Sequence, residues 1–335
     1  EPFRSEEQQQ VVETIEKNAL TIKSVPIVIT SDRGRGKSSA LGLASGQLLQ
    51  KGVKNIIVTA PRLTTSDPVF KHAQQLLPGA EFKKGELKYQ QGSLKYMAPD
   101  ALLEQQPGAD LLLVDEAAAI PLPMLEQLLN CYPHIVFAST IHGYEGTGRG
   151  FALKFNKVLD EFSPDWQLLT MKAPIRWAEH DPVEKWVDHI LCLDMNLPEV
   201  EGIECIEQDE CTVKLIDRDE LVNNEKELSS LFSLLVYAHY RTQPADLQHM
   251  LDDTGVRIYT LQHQQQILAA VLINQEGNFE QDLSSQIYQG ERRPAGHLLA
   301  QTLTFHAGCE SAATLNYARI MRIAVHPQLQ GNGLG

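Results

Sequence analysis

A glycine-rich loop between an apolar strand and a helix constrains this chain more than any other feature of its sequence. The run from Val25 to Thr30 is typical of a buried strand, and residues 31–38 (SDRGRGKS) follow it, ahead of a helical pattern through Leu49. Glycines in such a turn let the backbone point its N–H groups at an anion, and the N-terminus of the next helix adds a favourable dipole. The segment therefore predicts a binding site for the phosphates of a nucleotide.

The residue types in this loop suggest individual roles. Lys37 is expected to reach the β- and γ-phosphates, and Ser38 to bind the Mg²⁺ ion of the nucleotide. The loop departs from the pattern GxxxxGK(S/T) at its first position, where Ser31 replaces the glycine. The predicted nucleotide-binding residues of the loop are Ser31, Asp32, Arg33, Gly34, Arg35, Gly36, Lys37, Ser38 and Ser39.

An acidic pair further along the chain supports the same site. The apolar run at residues 110–114 ends in Asp115 and Glu116. Asp115 is expected to hold the Mg²⁺ shell, and Glu116 to orient or deprotonate the attacking water. The two motifs are expected on adjacent strands of one sheet. Alone, each motif would also suit an ordinary glycine turn or a surface acidic pair.

Other apolar runs extend the predicted sheet. Strands are predicted at residues 55–60 and 134–138, the latter followed by Ser139 and Thr140. Short apolar strands separated by helices imply an α/β fold, a parallel sheet with helices on both faces. The arrangement resembles the motor domains of RNA and DNA helicases. Residues 1–200 are therefore predicted to form a RecA-like P-loop ATPase domain.

Three side chains outside the two motifs are further candidates for the nucleotide site. Gln8 resembles the upstream glutamine with which helicases read the adenine edge, although it would also suit a solvated helix. Arg149 in GTGRGF and Arg176 in APIRW are candidates to neutralise charge at the γ-phosphate. Arg149 is preferred because its flanking glycines allow close approach, but either residue would also suit an ordinary surface arginine.

The composition changes after about residue 200, and residues 201–335 are predicted to form a second α/β domain. Helices are predicted at residues 221–240 and 295–306, and strands at 211–216, 256–262, 267–274 and 318–325. The last strand runs into Gln330-x-x-Gly333-x-Gly335, which resembles the pyrophosphate loop of GNAT acetyltransferases. As in the first loop, glycines there expose N–H groups that can hold a diphosphate.

The GNAT resemblance implies a site for acetyl-CoA. In such folds the backbone of the strand pairs with the pantetheine arm and orients the acetyl carbonyl. The residues implied to hold acetyl-CoA are Ile323, Ala324, Val325, Gln330, Gly331, Asn332, Gly333, Leu334 and Gly335. The chain opens at Glu1 and stops inside this motif, so we expect the central part of a longer protein with a truncated GNAT domain.

A helicase-like ATPase followed by a GNAT domain is an unusual combination, and it resembles the tRNA(Met) cytidine acetyltransferase family. The segments that carry the resemblance are DRGRGKSSALG, VDEAAAIPLP, HGYEGTGRGF, PIRW, HYRTQPADLQ, ERRPAGHLL and RIAVHPQLQGNGLG. They cover essentially the whole chain. The resemblance implies formation of N4-acetylcytidine at the wobble position of elongator tRNA(Met), with acetyl-CoA as donor, Mg²⁺, and hydrolysis of ATP or GTP.

The expected reaction needs help from side chains, because the lone pair of cytosine N4 is delocalised into the ring. Placement against the thioester, a donor to the oxyanion and removal of a proton should supply most of the catalysis. His239, beside Tyr240, is the candidate for the proton, although it would also suit the end of an amphipathic helix. Arg292 and Arg293 suit either a phosphate contact or an exposed basic pair.

Composition narrows the class of protein. A formal net charge of −14 disfavours a broad nucleic-acid footprint but leaves room for a local basic groove. No apolar run approaches the roughly 20 residues of a membrane span. The 5 cysteines form no CxxC pair, which favours reduced thiols. We therefore expect a cytoplasmic protein that binds tRNA, with no membrane association and no obligate protein partner.

Three other functions fit parts of the pattern. A helicase or remodelling ATPase with a degenerate acetyltransferase domain would act as a motor. A protein N-acetyltransferase would share the GNAT chemistry but would leave the ATPase half unexplained. A ribosomal-RNA cytidine acetyltransferase, as in the eukaryotic relatives, would differ in the RNA that it modifies.

Overall fold

The computed structural model describes two compact units. The described residues are 2–23, 25–140, 148–193, 195, 197–198, 200, 210–238, 244–331 and 333, without the side chains of 148–154 and 244. Those up to residue 193 form the first unit, and those from residue 195 onwards form the second. The division between residues 200 and 201 that the composition suggests stays a prediction.

The first unit is built on a mostly parallel sheet. Its strands are β1 Ile27–Ser31, β2 Asn55–Thr59, β3 Glu81–Lys83, β4 Glu86–Tyr89, β5 Gly92–Tyr96, β6 Leu111–Val114, β7 Ile135–Thr140 and β8 Gln167–Met171. Its helices are α1 Glu6–Ala19, α2 Lys37–Gln50, α3 Asp67–Leu76, α4 Pro99–Gln105, α5 Leu122–Cys131, α6 Gly148–Phe162 and α7 Pro182–Ile190. Among the described residues the strand order is β3-β4-β5-β2-β6-β7-β1-β8, with β3 and β4 antiparallel additions at one edge.

Helices cover both faces of this sheet, as the sequence predicts. Successive side chains of a strand point to opposite faces. Ile27 and Ile29 therefore enter the core formed with α1, α2 and α3, whereas Val28 enters the core formed with α4, α5 and α6. Burial on both faces explains why the central strands read as continuous apolar runs.

The sheet order corrects one expectation. The strand before the glycine loop, β1, and the strand before Asp115, β6, are not neighbours, because β7 lies between them and pairs with both. The apolar patterns locate each strand, but the path of the crossover connections decides which strands pair. The carboxyl ends of all three strands still lie along one edge of the sheet.

The second unit contains an antiparallel sheet of order β12-β11-β10-β9 among the described residues. Its strands are β9 Thr212–Leu215, β10 Val256–His263, β11 Gln266–Gly277 and β12 Asn316–Val325. Its helices are α8 Arg218–Asn223, α9 Glu225–Ala238, α10 Pro244–Asp252, α11 Gln281–Tyr288 and α12 Leu298–Gln301, which continues as a π-helical turn over Thr302–His306.

Two predicted helices differ from those observed. The helix predicted over residues 221–240 is two helices, α8 and α9, because Asn224 leaves the helical conformation at φ −116° and ψ 81°. Its side-chain oxygen accepts the backbone N–H of Glu227 at 3.2 Å, which caps the start of α9. The helix predicted from residue 295 begins only at Leu298, after Gly296 at φ 82°.

A buried ion pair fixes the start of α12 to the sheet of the second unit. The carboxylate of Glu276 on β11 is fully buried and pairs with the guanidinium of Arg319 on β12. It also accepts the backbone N–H of Leu299 at 2.6 Å and the amide of Asn274 at 3.3 Å. Burial raises the pKa of Glu276, but Arg319 and the other donors outweigh it, so the pKa is lowered. The carboxylate is therefore held in its charged form.

Among the described residues, no helix combines the length and the apolar character that a membrane crossing requires.

Candidate functional site

The glycine loop leads from β1 into α2, as the sequence predicts. Gly34 has φ 82° and Gly36 has φ 88°, which are backbone conformations that residues with a Cβ rarely adopt. Both positions are also crowded. A Cβ at residue 34 would lie 2.5 Å from the ring of Trp177, and one at residue 36 would lie 2.5 Å from Ile175. The backbone conformation therefore favours glycine at both positions, and a larger residue would also displace Trp177 or Ile175.

Lys37 is held inside this loop. Its side chain is buried, and its ammonium group donates to Ser31 Oγ at 3.0 Å and to the carbonyl of Asp32 at 3.3 Å. The hydroxyl of Ser31 in turn donates to the same carbonyl at 2.8 Å. The departure from the usual first glycine thus supplies a hydroxyl that positions the lysine. Its positive charge lies where the loop is expected to hold phosphates.

The acidic pair lies at the carboxyl end of β6. Asp115 is fully buried, and its Oδ1 accepts the backbone N–H of Glu116 at 3.1 Å. Thr140, the last residue of β7, donates its hydroxyl to Glu116 Oε2 at 3.4 Å. Thr140 is also the register partner of Ser31 on β1. The ends of β6, β7 and β1 therefore bring the carboxylates and the lysine loop to the same edge of the sheet.

The backbone at Glu116 is strained. This residue has φ 50° and ψ 47°, the left-handed region that costs a non-glycine residue about 1 kcal/mol or more. The turn places Glu116 directly before a 3₁₀ turn over Ala117–Ala119 and within reach of Thr140. Such strain is common where a side chain is aimed at a reacting group.

The oxygen ligands at this edge suit a hard divalent cation. Asp115 supplies a buried carboxylate, and burial of a carboxylate is costly unless a positive charge or donors compensate it. Ser38 lies in the first turn of α2, directly after Lys37. The described residues contain no group of three or more His, Cys, Asp or Glu side chains arranged to hold a metal by themselves. Asp115 and Ser38 therefore fit an ion that is held mainly by a nucleotide.

Gln8 packs against the loop. Its side chain is only 1% exposed, which excludes the solvated alternative. Its amide nitrogen donates to the carbonyl of Gly36 at 3.4 Å, and its oxygen accepts the backbone N–H of Arg4 at 2.9 Å. The structure therefore places Gln8 beside the phosphate loop, and a role in reading adenine stays a prediction.

The arginine candidates differ in what the structure describes. Arg176 is exposed, and its neighbours Ile175 and Trp177 both pack on glycines of the loop. Arg35 forms an ion pair with Glu184 at 2.6 Å. Several predicted residues lie outside the described part of the chain, namely the side chain of Arg149 and the residues His239, Tyr240, Asn332, Leu334 and Gly335.

In the second unit, β12 provides the strand predicted to hold pantetheine. Within the described sheet, β12 pairs with β11. Leu272 of β11 pairs with Arg322 and Ile273 pairs with Ile320, so Met321 forms a bulge in β12. Ile323, two residues later, is 47% exposed.

The turn after β12 has the backbone expected of a diphosphate site. Gly331 has φ 88° and Gly333 has φ 75°, and residues 327–329 form a short 3₁₀ turn before them. The side chain of Gln330 donates to the carbonyl of Val325 at 3.3 Å, which ties the turn to the end of the strand. Positive φ at two glycines separated by one residue lets neighbouring N–H groups converge on an anion.

His326 joins β12 to this turn and has a structural role. Its side chain is 4% exposed, and Nε2 donates to the carbonyl of Pro198 at 2.9 Å. Its backbone N–H donates to Leu268 of β11 at 2.8 Å, and its carbonyl accepts the N–H of Leu329 at 2.8 Å. Burial lowers the pKa of His326 below its ordinary value of 6.5.

This lowered pKa predicts a pH-dependent contribution to stability. The unfolded chain binds the proton more readily than the folded protein, so stability is full above pH 6.5 and falls as the pH drops towards the folded-state pKa. His326→Gln keeps a donor for Pro198 but does not titrate. The free energy of unfolding in urea should therefore fall more steeply below pH 6.5 in the wild type, by up to about 1.4 kcal/mol per pH unit. Equal slopes for the two proteins would contradict this account.

No sequence pattern predicts which residues pack on the glycine loop. Trp177 and Glu184 approach the loop from a segment about 140 residues further along the chain, and sequence patterns single out only Arg176 there. Glu276 and Arg319 were missed as well, because neither belongs to a recognisable spacing pattern. Burial of these residues is a property of the tertiary structure.

Family models match both halves of the chain. Residues 28–194 match the family described as RNA cytidine acetyltransferase NAT10/TcmA, helicase domain, and residues 230–335 match the family GNAT acetyltransferase 2. The large terminase of the thermophilic bacteriophage D6E aligns with a TM-score of 0.44 and 13% identity, over 62% of this chain and 57% of that chain. That structural likeness is too weak to carry an argument.

Curated relatives match nearly the whole chain. The tRNA(Met) cytidine acetyltransferase TmcA of Nitrosococcus halophilus is 48% identical over 99% of this chain and 44% of its own length. The proteins of the same name from Vibrio cholerae and Haloarcula marismortui are 43% and 34% identical, over 98% and 99% of this chain and 46% and 44% of their own lengths. The chain thus spans a little under half the length of these relatives.

Proposed function

The chain belongs to the tRNA(Met) cytidine acetyltransferase family, and from this premise we propose that the protein transfers an acetyl group from acetyl-CoA to N4 of cytidine in RNA, with hydrolysis of a nucleoside triphosphate. The proposal extends to the wobble cytidine of elongator tRNA(Met), to ATP or GTP as the nucleotide, and to Mg²⁺. We also propose that the protein is cytoplasmic, because tRNA is found in the cytoplasm.

The observation that carries the proposal is the presence of two glycine turns of different design, each with a backbone suited to phosphate. The first contains the buried Lys37 and lies at the same edge of the sheet as Asp115 and Glu116, which suits hydrolysis. The second follows β12 and contains Gly331 and Gly333 at positive φ without a lysine, which suits binding of a diphosphate without its cleavage. A motor alone would need only the first turn.

Residues of the first unit have separate tasks in the proposed hydrolysis. Lys37 neutralises charge on the phosphates, and the Asp115 and Ser38 oxygens hold the Mg²⁺ ion. Glu116, oriented by its hydrogen bond from Thr140, accepts a proton from the attacking water or aligns it. Presenting a base from a folded RNA loop requires unstacking, which costs a few kcal/mol, and nucleotide hydrolysis is a suitable source of that free energy.

The second unit positions the acetyl donor. Bound acetyl-CoA supplies an activated thioester carbonyl. The backbone of β12 would pair with the extended pantetheine arm, and the turn at Gly331 would hold the diphosphate. The bulge at Met321 interrupts the ladder with β11, and a backbone N–H outside the ladder is the kind of donor that a developing oxyanion requires.

An acetylation assay tests the proposal directly. The natural protein that contains this chain is incubated with labelled acetyl-CoA, ATP and, in separate reactions, purified elongator tRNA(Met), other tRNAs or ribosomal RNA, and each RNA is then digested to nucleosides. Label in N4-acetylcytidine from elongator tRNA(Met), lost when its wobble cytidine is replaced, is the expected result. Label only in protein would indicate a protein acetyltransferase, and hydrolysis of ATP without label would indicate a motor. Label in ribosomal RNA but not in tRNA would indicate that ribosomal RNA is the substrate.

A single glycine separates the two phosphate sites experimentally. Gly331 has φ 88°, and apart from its chain neighbours no atom of the described residues lies within 4 Å of a Cβ at this position, so Gly331→Ala adds backbone strain without a clash among them. A strain of about 1–2 kcal/mol should weaken acetyl-CoA binding roughly tenfold, measured by calorimetry, and should leave ATP hydrolysis unchanged. Gly308→Ala is the matched control, because Gly308 has φ 71° and equally open surroundings but lies outside the turn. Equal acetyl-CoA affinity in all three proteins would argue against the proposed site.

A further inference from the structure

A segment after β8 packs on the phosphate loop, and we call residues 175–184 the strap. The backbone N–H of Ile175 donates to the carbonyl of Gly34 at 3.1 Å. The side chain of Ile175 covers Gly36, and the indole ring of Trp177 covers Gly34. The strap therefore touches both glycines at which the loop takes up its left-handed conformation.

Both ends of the strap are fixed by charged side chains. At its far end Glu184 forms an ion pair with Arg35 of the loop at 2.6 Å, and both side chains are largely buried. The guanidinium of Arg35 also lies over the indole of Trp177, 5.7 Å from the ring centroid. Just before the strap, the carboxylate of Glu7 accepts the backbone N–H groups of residues 172 and 173 at 2.7 and 2.9 Å. The position of Trp177 is thus set by the surrounding structure.

Two donors in this cluster have no acceptor among the described residues. The indole Nε1–H of Trp177 and the Nε–H of Arg35 are both buried, and neither has a hydrogen-bond partner in the part of the chain that the structure describes. Buried donors are almost always satisfied in folded proteins, because an unmade hydrogen bond is costly. Two such donors beside a phosphate loop indicate an acceptor that arrives with the ligand.

We propose that the indole N–H of Trp177 donates to a phosphate oxygen of the nucleotide held by the loop, so that the strap forms one wall of the nucleotide site. The Nε–H of Arg35 is the second donor on this wall. The proposal rests on the proposed binding of nucleotide at the Lys37 loop. It adds a direct ligand contact from a segment that no loop motif contains, and it assigns the Arg35–Glu184 ion pair to holding that wall in place.

The variant Trp177→Phe removes the indole N–H. Phenylalanine also lacks the outer ring atoms that contact Gly34, so the fluorescence of the intact indole serves as a second readout. Calorimetry compares the affinity of the chain for ADP and for inorganic tripolyphosphate, which has neither base nor ribose. A hydrogen bond to a charged acceptor predicts that both ligands bind at least about tenfold more weakly. If Trp177→Phe weakens the binding of ADP but not of tripolyphosphate, the indole N–H contacts the base or the ribose, and the proposed phosphate contact is wrong.

Two further variants separate failure of this inference from failure of the proposed function. If Lys37→Ala abolishes binding while Trp177→Phe binds both ligands like the wild type, the loop binds nucleotide and the Trp177 contact is wrong. If the wild type binds neither ligand, the nucleotide function itself fails. Trp186→Phe is the matched control, because Trp186 is 62% exposed on α7 and should leave both affinities unchanged.

Fluorescence gives a readout that does not depend on affinity differences. The chain has 3 tryptophans, so a double variant with Trp166→Phe and Trp186→Phe leaves Trp177 as its only tryptophan. Saturating tripolyphosphate is expected to change its emission, because the indole N–H gains a charged acceptor. An unchanged spectrum at saturation would overturn the proposal.

Discussion

Replacing Lys37 with alanine is expected to lower the rate of nucleotide hydrolysis about 100-fold or more and to lower RNA acetylation with it. The ammonium group is buried in the loop and held by Ser31 and Asp32, so alanine removes a positive charge that is fixed where the phosphates are proposed to bind. Steady-state release of inorganic phosphate and the yield of N4-acetylcytidine measure the two effects on the natural protein.

A lysine that directly follows α2 provides the control for Lys37→Ala. Lys51 follows the last turn of α2, is half-exposed and pairs with Glu16 at 2.7 Å. Lys51→Ala should keep both activities, and urea unfolding should show that the Lys37 variant is folded. Acetylation at the wild-type rate in a variant that no longer hydrolyses nucleotide would contradict the proposed coupling.

Replacing Arg319 with alanine should lower the free energy of unfolding by about 3–5 kcal/mol, because it leaves the buried carboxylate of Glu276 without its positive partner. The lowered pKa of Glu276 means that the pair stabilises the fold above pH 4.5 and that this stabilisation is lost as the pH falls through the folded-state pKa. Urea unfolding at pH 7 measures the loss, and the difference between wild type and variant should shrink in acid.

A double variant tests whether the effect arises from the unpaired charge. Glu276→Gln removes the charge but keeps an oxygen that can accept the backbone N–H of Leu299. The double variant with Arg319→Ala should therefore recover a large part of the stability lost in the single Arg319 variant. If the double variant instead loses as much free energy of unfolding as the two single variants together, Arg319 stabilises the fold through packing alone.

The sequence predicts those elements of the first unit that short, contiguous residue patterns encode. The strand predicted at residues 25–30 is observed at Ile27–Ser31, since a strand buried on both faces is written as a continuous apolar run. The short strands β3 to β5 were not foreseen, because β3 is exposed throughout and β4 and β5 each have one buried residue, Leu87 and Leu94, followed by an exposed lysine. The place of β7 between β1 and β6 depends on long crossovers, which leave no local pattern.

In the candidate site, too, some residues were predicted from the sequence and others became evident only from the structure. The loop and the acidic pair are contiguous in sequence, and the structure brings both to one edge of the sheet. The position of Gln8 against Gly36 was inferred only by resemblance, since a glutamine in a helix carries no sign of its burial. The contacts of Trp177 and Glu184 join segments far apart in the chain and required the structure.

The left-handed conformation of Glu116 has a consequence for how this protein can be improved. Glycine or asparagine would adopt φ 50° and ψ 47° with less strain, so either residue would make the turn more resistant to heat. Neither residue carries a carboxylate to align a water molecule. Selection for thermal resistance and selection for turnover therefore act in opposite directions at this one position, and a library screened only for stability will favour variants that no longer hydrolyse nucleotide.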